Sequence, residues 1–323
     1  MSTSITALTI SLDLAPNPQI DALAPRLNFD EISQLLIQQP EHILTCKIPE
    51  WSPGMLANAS FFSDPEFGLK YFKLENNSQE FGKRWRAAMG NWDDKIVVDI
   101  GCGLGNLYAA VGGSPRGIVG IDISFGALVH AAKIGYIPLL ADAHNLPLVD
   151  GFADIVTLNA VLHHCDDMAR VLAEAARLVR PGGMLITDED PLCNTAIYRG
   201  WALLVLEARK RFPMYWLPGR ASIYKSPYEE AWRLATEIHN SQPGDGVTPA
   251  LYRDTLEPLG FEIELYPHYH NVGDELFRGE QGKLGFKDTL IKLLAGHDAP
   301  QPPQSIACIA RKSNNSRLHI ERA

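Results

Sequence analysis

The stretch Lys95-Ile-Val-Val-Asp-Ile-Gly-Cys-Gly-Leu-Gly-Asn106 decides how this chain of 323 residues is read. Its first half is a short β-branched run, and its second half is a glycine loop, Gly101, Gly103 and Gly105. Glycines at such a junction let the backbone turn sharply into a helix and come close to a ligand at the helix N-terminus. Four more apolar runs follow, at 117–121, 138–141, 153–158 and 184–187. Each is apolar on both faces, as strands covered by helices on both sides are. Between the fourth and fifth runs, Met168, Val171, Leu172, Ala175, Leu178 and Val179 repeat at helical spacing. Asp166 or Asp167 can cap that helix, and Pro181-Gly182-Gly183 ends it. Strands alternating with helices predict an α/β fold with a doubly wound, mostly parallel sheet.

Outward from this core the texture changes. Prolines interrupt residues 1–92, which read as loops and short helices that could close as a lid. Phe81, Trp85, Ala88 and Trp92 share one face of a helix expected over 81–92. The core spans 93–190. Residues 191–245 read as an inserted helical cap, with one apolar stripe through Ile197, Trp201, Leu204, Val205, Ala208 and Phe212. A second follows the capping box at Ser226-Pro227-Tyr228-Glu229, through Tyr228, Ala231, Trp232, Ala235 and Ile238. Residues 246–312 hold a helix opened by Thr248-Pro249 and two closing strands, 261–269 and 305–311, before a polar tail at 313–323.

Composition narrows the partners. Hydrophobic residues are 46% and charged residues 21%, the balance of a globular protein and not of a disordered, collagen-like or disulfide-stapled chain. The net charge of −9 and the lack of a dense basic cluster argue against nucleic acid, whose affinity comes largely from phosphate neutralisation. The five cysteines are scattered, with no C-x-x-C pair, so neither a disulfide framework nor a bound metal is expected. No signal peptide is evident at the N-terminus, and the longest apolar run, 201–206, is too short to span a bilayer. The expectation is a cytoplasmic protein without an integral membrane segment.

The loop spacing is G-x-G-x-G, with Asp99 two residues ahead of Gly101. A dinucleotide fingerprint needs G-x-G-x-x-G for its pyrophosphate. A carboxylate beside the loop instead suits a cationic or hydroxyl-rich ligand. Asp122, closing the second run, can accept both hydroxyls of a ribose or cap the next helix. Asp142, closing the third, can accept from an exocyclic amine or serve as a turn residue.

In order and spacing, Val98-Asp-Ile-Gly-Cys-Gly-Leu-Gly-Asn106, Gly120-Ile-Asp-Ile-Ser124, Ala141-Asp-Ala143, Asp154-Ile-Val-Thr-Leu-Asn159 and Leu178-Val-Arg-Pro-Gly-Gly-Met-Leu-Ile186 resemble the motifs of class I S-adenosylmethionine-dependent methyltransferases. The resemblance covers about residues 95–190. It implies a Rossmann-like sheet of seven strands, with S-adenosyl-L-methionine as cofactor and S-adenosyl-L-homocysteine as its product. It implies that Gly101, Gly103 and Gly105 pack against the methionine part and ribose, with Asp99 beneath. Asp122, with Ile123 beside it, would hold the ribose, Asp142 and the Ala143 backbone the adenine, and Asn159 the methionine amino end. Cys102, a common variant in this loop, would serve through its backbone.

The acceptor is less legible. Asn159-Ala-Val-Leu162 lacks the Asn/Asp-Pro-Pro-aromatic pattern that DNA amino-methylating enzymes resemble, and asparagine is a poorer magnesium ligand than the aspartate of catechol methyltransferases. His164 is the expected base or positioning residue, with His163 beside it; the bland alternative is a helix-starting pair. His268 and His270 are alternative bases. Asp188-Glu189-Asp190 reads as a solvated strand-end loop, with a cation or amine site as the sharper reading. Trp201, Trp232 and Tyr198 in the cap are expected to line the acceptor site, which favours a flat or apolar small molecule from secondary or lipid-like metabolism. The competing functions are a non-catalytic cofactor-binding module and an NAD-dependent oxidoreductase.

Overall fold

The computed structural model describes residues 36–38, 43–64, 69, 78–193, 201, 203–204, 227–240, 244–285, 289, 293 and 303–314. Five parallel strands carry the expected runs: Ile96–Ile100 (β3), Gly117–Asp122 (β4), Ile137–Leu140 (β5), Ala153–Asn159 (β6) and Val179–Asp188 (β7). Alternate side chains of β3 enter opposite layers, Val98 and Ile100 one apolar cluster and Val97 the other. This two-residue alternation with both faces buried is why the strand reads as a continuous apolar run.

The chain enters at the centre of the sheet. From β3 it moves through α3 (Asn106–Val111) to β4, and through α4 (Phe125–Lys133) to β5. It then crosses back to β6 on the other side of β3 and continues through α5 (Met168–Leu178) to β7. Asp167 caps α5 by accepting from Arg170 N, whereas Asp166 accepts from Ser52 Oγ at 2.5 Å. Reversal of strand order between β3 and β6 opens a crevice at their carboxyl ends, where sheets of this kind bind ligands. Phe261–His268 (β8) and Ser305–Lys312 (β9) close the other edge antiparallel, β9 lying between β7 and β8.

Several expectations need correction. The sheet has nine strands among the described residues, because Leu36–Gln38 (β1) and Ile43–Thr45 (β2) extend it beyond β5. At three residues each, these strands are too short for an alternation to be read. The helix expected over 81–92 is Gln79–Met89 (α2); Gly90, at φ +66°, stops it, and Trp92 is buried beyond its end. Leu178 already ends α5, and Pro181-Gly182-Gly183 lies inside β7 where the register with β6 shifts.

Two further helices bear on the site. Pro53–Phe62 (α1) starts with Ser52 accepting from Met55 N, and it packs against Pro227–Thr236 (α6) from the cap region. Asn58 ties them, donating to the carbonyls of Gly54, His164 and Thr236. A Cβ on Gly54 would stand 2.3 Å from Ile238 Cδ1, so a larger residue there would displace that side chain. Pro249–Leu256 (α7) packs on α5, capped by Thr248 as its sequence predicts. Among the described residues no helix is long and apolar enough to cross a membrane.

Candidate functional site

A cavity of about 410 Å³ occupies the crevice at the ends of β3, β4, β5 and β6, within the range of about 300–1,000 Å³ common for small-molecule sites. The glycine loop forms its floor. Gly101 and Gly103 adopt φ of +65° and +53°. A Cβ on Gly101 would fall 2.5 Å from Val161 Cγ2, whereas one on Gly103 would meet no protein atom within 4 Å. Gly101 is thus demanded by packing, while Gly103 leaves its backbone bare toward the cavity. Gly105 does not line it: it caps α3 at φ +89°, pressed against Ile134 and Tyr136.

Three carboxylates surround the loop. Asp122 Oδ2 accepts from Gly103 N at 2.9 Å and Oδ1 from Ser124 N at 2.8 Å. Burial lifts this carboxyl above its ordinary value, against the pull of those N–H bonds. Ile123 N also donates to this carboxylate, which has about four acceptor positions and so keeps capacity for a ligand hydroxyl. Asp99, beneath the loop, accepts from Tyr136 OH and Thr157 Oγ1, each at 2.8 Å. Burial outweighs those bonds and raises it to about 7. Asp142 Oδ1 accepts from His144 N at 3.0 Å and lies 2.6 Å from His144 Nδ1. Burial opposes ionisation there, but the His144 contacts prevail and hold the carboxyl below its ordinary value.

Ile123, Ala143, Cys102 and Asn159 also line the cavity. Asn159 Oδ1 is buried with no hydrogen-bond partner among the described residues. Such an orphan costs about 1–3 kcal/mol unless a ligand supplies a donor. The next residue, Ala160, takes a left-handed φ of +55°, its N donating to Asp188 O at 2.8 Å.

The opposite end is walled by α1, α6 and the turn after β6. Phe61, Phe62, His163, His164, Glu189 and His270 face it. His164 Nδ1 lies 2.7 Å from Thr236 O, and its ring is edge-on to Phe62. Burial, then the neighbouring His163, pulls His164 down to about 3, so it stays neutral at physiological pH. His163 instead meets a carboxylate: Asp190 Oδ1 accepts from His163 N at 3.1 Å and lies 2.8 Å from Nδ1.

Asp188-Glu189-Asp190 is not a solvated loop. Asp188 and Asp190 are buried, and Glu189 lines the cavity with a left-handed φ of +64°. Arg84, arriving from α2, is itself buried and donates to Asp188 Oδ2 at 2.6 Å and to Glu189. The cation this acidic run holds is therefore the protein's own arginine. His268 is fully buried between Asp188 Oδ1 and Tyr269 O, which removes it from the candidate bases.

The aromatic cap residues also need correction. Trp201 is 71% exposed, Trp232 is 40% exposed, and neither lines the cavity; Tyr198 lies outside the described residues. Helix α6 turns Arg233 and Thr236 to the cavity, followed by Glu237. Met55, Asn58, Phe61 and Phe62 of α1 went unread, since nothing in a proline-broken segment marks them as site residues.

A family model described as a methyltransferase domain matches residues 98–187. An uncharacterized 37.1 kDa protein in transposon TN4556 of Streptomyces fradiae is 42% identical over 102 residues, 29% of this chain and 29% of that protein. The malonyl-acyl-carrier-protein O-methyltransferase of Hamiltonella defensa is 31% identical over 137 residues, 42% of this chain and 52% of that protein. The chain thus spans about half the length, or less, of these curated relatives. The demethylmenaquinone methyltransferase of Mycolicibacterium paratuberculosis is matched further, at 30% identity over 222 residues, 69% of this chain and 83% of that protein. A likeness running through most of that relative, on a sheet whose order reverses beside a G-x-G-x-G loop, places the chain in the class I S-adenosylmethionine-dependent methyltransferase family.

Proposed function

We propose that the protein transfers a methyl group from S-adenosylmethionine to a small-molecule acceptor held between the glycine loop and the α1–α6 roof. One observation carries this reading: a single cavity joins a cofactor-like end to a proton-handling end. At the first, the bare Gly103 backbone, Asp122, Asp142 and the orphaned Asn159 Oδ1 suit a ligand with ribose hydroxyls, an adenine amine and an ammonium group. When bound, S-adenosylmethionine supplies a methyl carbon made electrophilic by its sulfonium. The chain's own contribution is alignment and desolvation, which can supply much of the rate of such a displacement.

The relatives are named for malonyl-acyl-carrier-protein, demethylmenaquinone and ubiquinone-pathway substrates. A lipid-like or natural-product metabolite in the cytoplasm is the acceptor class we favour, and the net charge of −9 argues against nucleic acid. Calorimetry with S-adenosylmethionine, S-adenosylhomocysteine and NADH tests the assignment. The first two should bind and NADH should not; NADH binding alone would restore the oxidoreductase reading. Cofactor binding with no methyl incorporation into any metabolite of a cell extract would favour the non-catalytic module.

A further inference from the structure

The charged side chains that line the acceptor side of the cavity already have partners within the protein. Glu189 accepts from Arg84 and pairs with His270. Glu237 accepts from Arg233 Nη1 and from Asn240 Nδ2, each at 2.5 Å. An ammonium or a carboxylate entering here would shed its water against a wall whose counter-charges are in use, and burying an unmatched ion is expensive. Phe61 and Phe62 offer apolar surface instead.

His163 is built differently from its neighbours. Asp190 is completely buried, and its Oδ1 serves both the backbone N and Nδ1 of His163. Its Oδ2 has no hydrogen-bond partner among the described residues. A carboxylate only accepts, so Nδ1 carries the hydrogen, and in the neutral ring Nε2 presents its lone pair. On that side Glu237 Oε2 stands 3.8 Å from Nε2. A proton arriving at Nε2 would therefore create a cation between two carboxylates, the arrangement that stabilises an imidazolium. His164, its ring 3.9 Å from that of His163, stays neutral and adds no opposing charge, while Arg233 has its guanidinium on Glu237.

We propose that the acceptor binds as a neutral molecule with an ionisable O–H or C–H bond, and that His163 Nε2, oriented by Asp190, receives its proton. The inference rests on the methyl-transfer reading. The acceptor's O–H or C–H bond breaks and its electron pair forms the bond to the methyl carbon. The electrons of the broken carbon–sulfur bond remain on sulfur, and the proton passes to Nε2. His163 later returns it to solvent.

Nitrogen-15 NMR of the full, histidine-labelled chain loaded with S-adenosylhomocysteine tests the proton inventory without turnover. The His163 signal, assigned by its loss in His163→Gln, should show hydrogen on Nδ1 and a bare Nε2. Hydrogen on Nε2 in the resting protein would overturn the proposal. In the second arm, 1,4-naphthohydroquinone, 1-naphthylmethylamine and 1-naphthoate compete as acceptors under anaerobic conditions. The neutral quinol should bind and be methylated at least tenfold more efficiently than the charged probes, and preference for either charged probe would overturn neutrality. His163→Gln should lower quinol turnover about 10²–10⁴-fold and remove the acidic limb of the pH–rate profile, the range for lost general base catalysis. An unchanged profile in that variant refutes the base. If it does not fold, Glu237→Gln, which removes the second carboxylate and so makes the imidazole harder to protonate, should move that limb to lower pH, and an unmoved limb refutes the arrangement. Failure of S-adenosylhomocysteine to bind at all would sink the methyltransferase reading itself, so the two failures are distinct.

Discussion

Replacing Asp99 by asparagine should make the protein more stable than the wild type at alkaline pH, with the difference shrinking as pH falls. Asp99 is 1% exposed, and burial is the largest influence on a carboxyl lifted from 3.8 to about 7. A carboxyl held above its unfolded value contributes its stability below that unfolded value and loses it as pH rises through the folded one. Ionising Asp99 inside the fold thus costs about 4 kcal/mol once the pH is well above 7, of which about 2–3 kcal/mol falls between pH 5 and pH 8. Asparagine has no charge to bury, and Tyr136 OH and Thr157 Oγ1 can still donate to its oxygen. Its amide hydrogens must find acceptors among the same hydroxyls, which takes back about 1 kcal/mol at every pH. Urea unfolding at pH 5 and pH 8, with equal m-values for the two proteins, measures the difference. The variant should gain about 2–3 kcal/mol on the wild type across that interval. A difference that does not change with pH would refute a proton-holding Asp99. The same proton should couple to ligand: a cation above the loop favours the ionised form, so S-adenosylmethionine affinity should rise through pH 7 in the wild type and stay flat in Asp99→Asn.

Arg84→Met should destabilise by about 3–5 kcal/mol in chemical denaturation, because it strands the buried Asp188 charge. Burial opposes Asp188 ionisation, but Arg84 and His268 hold its carboxyl well below the ordinary 3.8, so wild-type stability from this group is present above pH 4 and lost in stronger acid. Asp122→Ala should weaken S-adenosylmethionine binding by about 1–3 kcal/mol in calorimetry, the size of charge-assisted hydrogen bonds to ligand hydroxyls; unchanged affinity in a folded variant would remove its assigned role. Trp201→Ala should leave the melting temperature, cofactor affinity and acceptor KM nearly unchanged, since Trp201 is 71% exposed and surface substitutions usually stay within about 0.5 kcal/mol.

The central strands were legible because burial on both faces writes itself into sequence as uninterrupted β-branched runs, as in Ile96–Ile100. The cofactor end was legible for a related reason: its residues follow immediately on strands, so Asp122 and Asn159 could be placed by their strands alone. Helix α6 departs from the expectation that Trp232 lines the acceptor site, because its Ala231, Trp232 and Ala235 stripe faces solvent. Packing on α1 turns Arg233 and Thr236 toward the cavity instead. Amphipathic spacing identifies a helix, but which face is buried depends on what lies beneath it.

The acceptor end could not be read because it is assembled by partners far apart in the chain. Asp188-Glu189-Asp190 shows why. Three consecutive acids look like solvent-facing residues unless cations from elsewhere are known to reach them, because unpaired buried carboxylates are too costly. Arg84 comes from a helix 104 residues earlier. The left-handed turn at Glu189 then sends the neighbours different ways, Asp188 toward Arg84 and His268, and Asp190 toward His163. One strained residue thus divides an acidic run between a buried ion cluster that anchors α2 and a carboxylate that orients an imidazole. Strain of that kind persists only where the surroundings over-determine it, and here they do so through bonds to three separate elements.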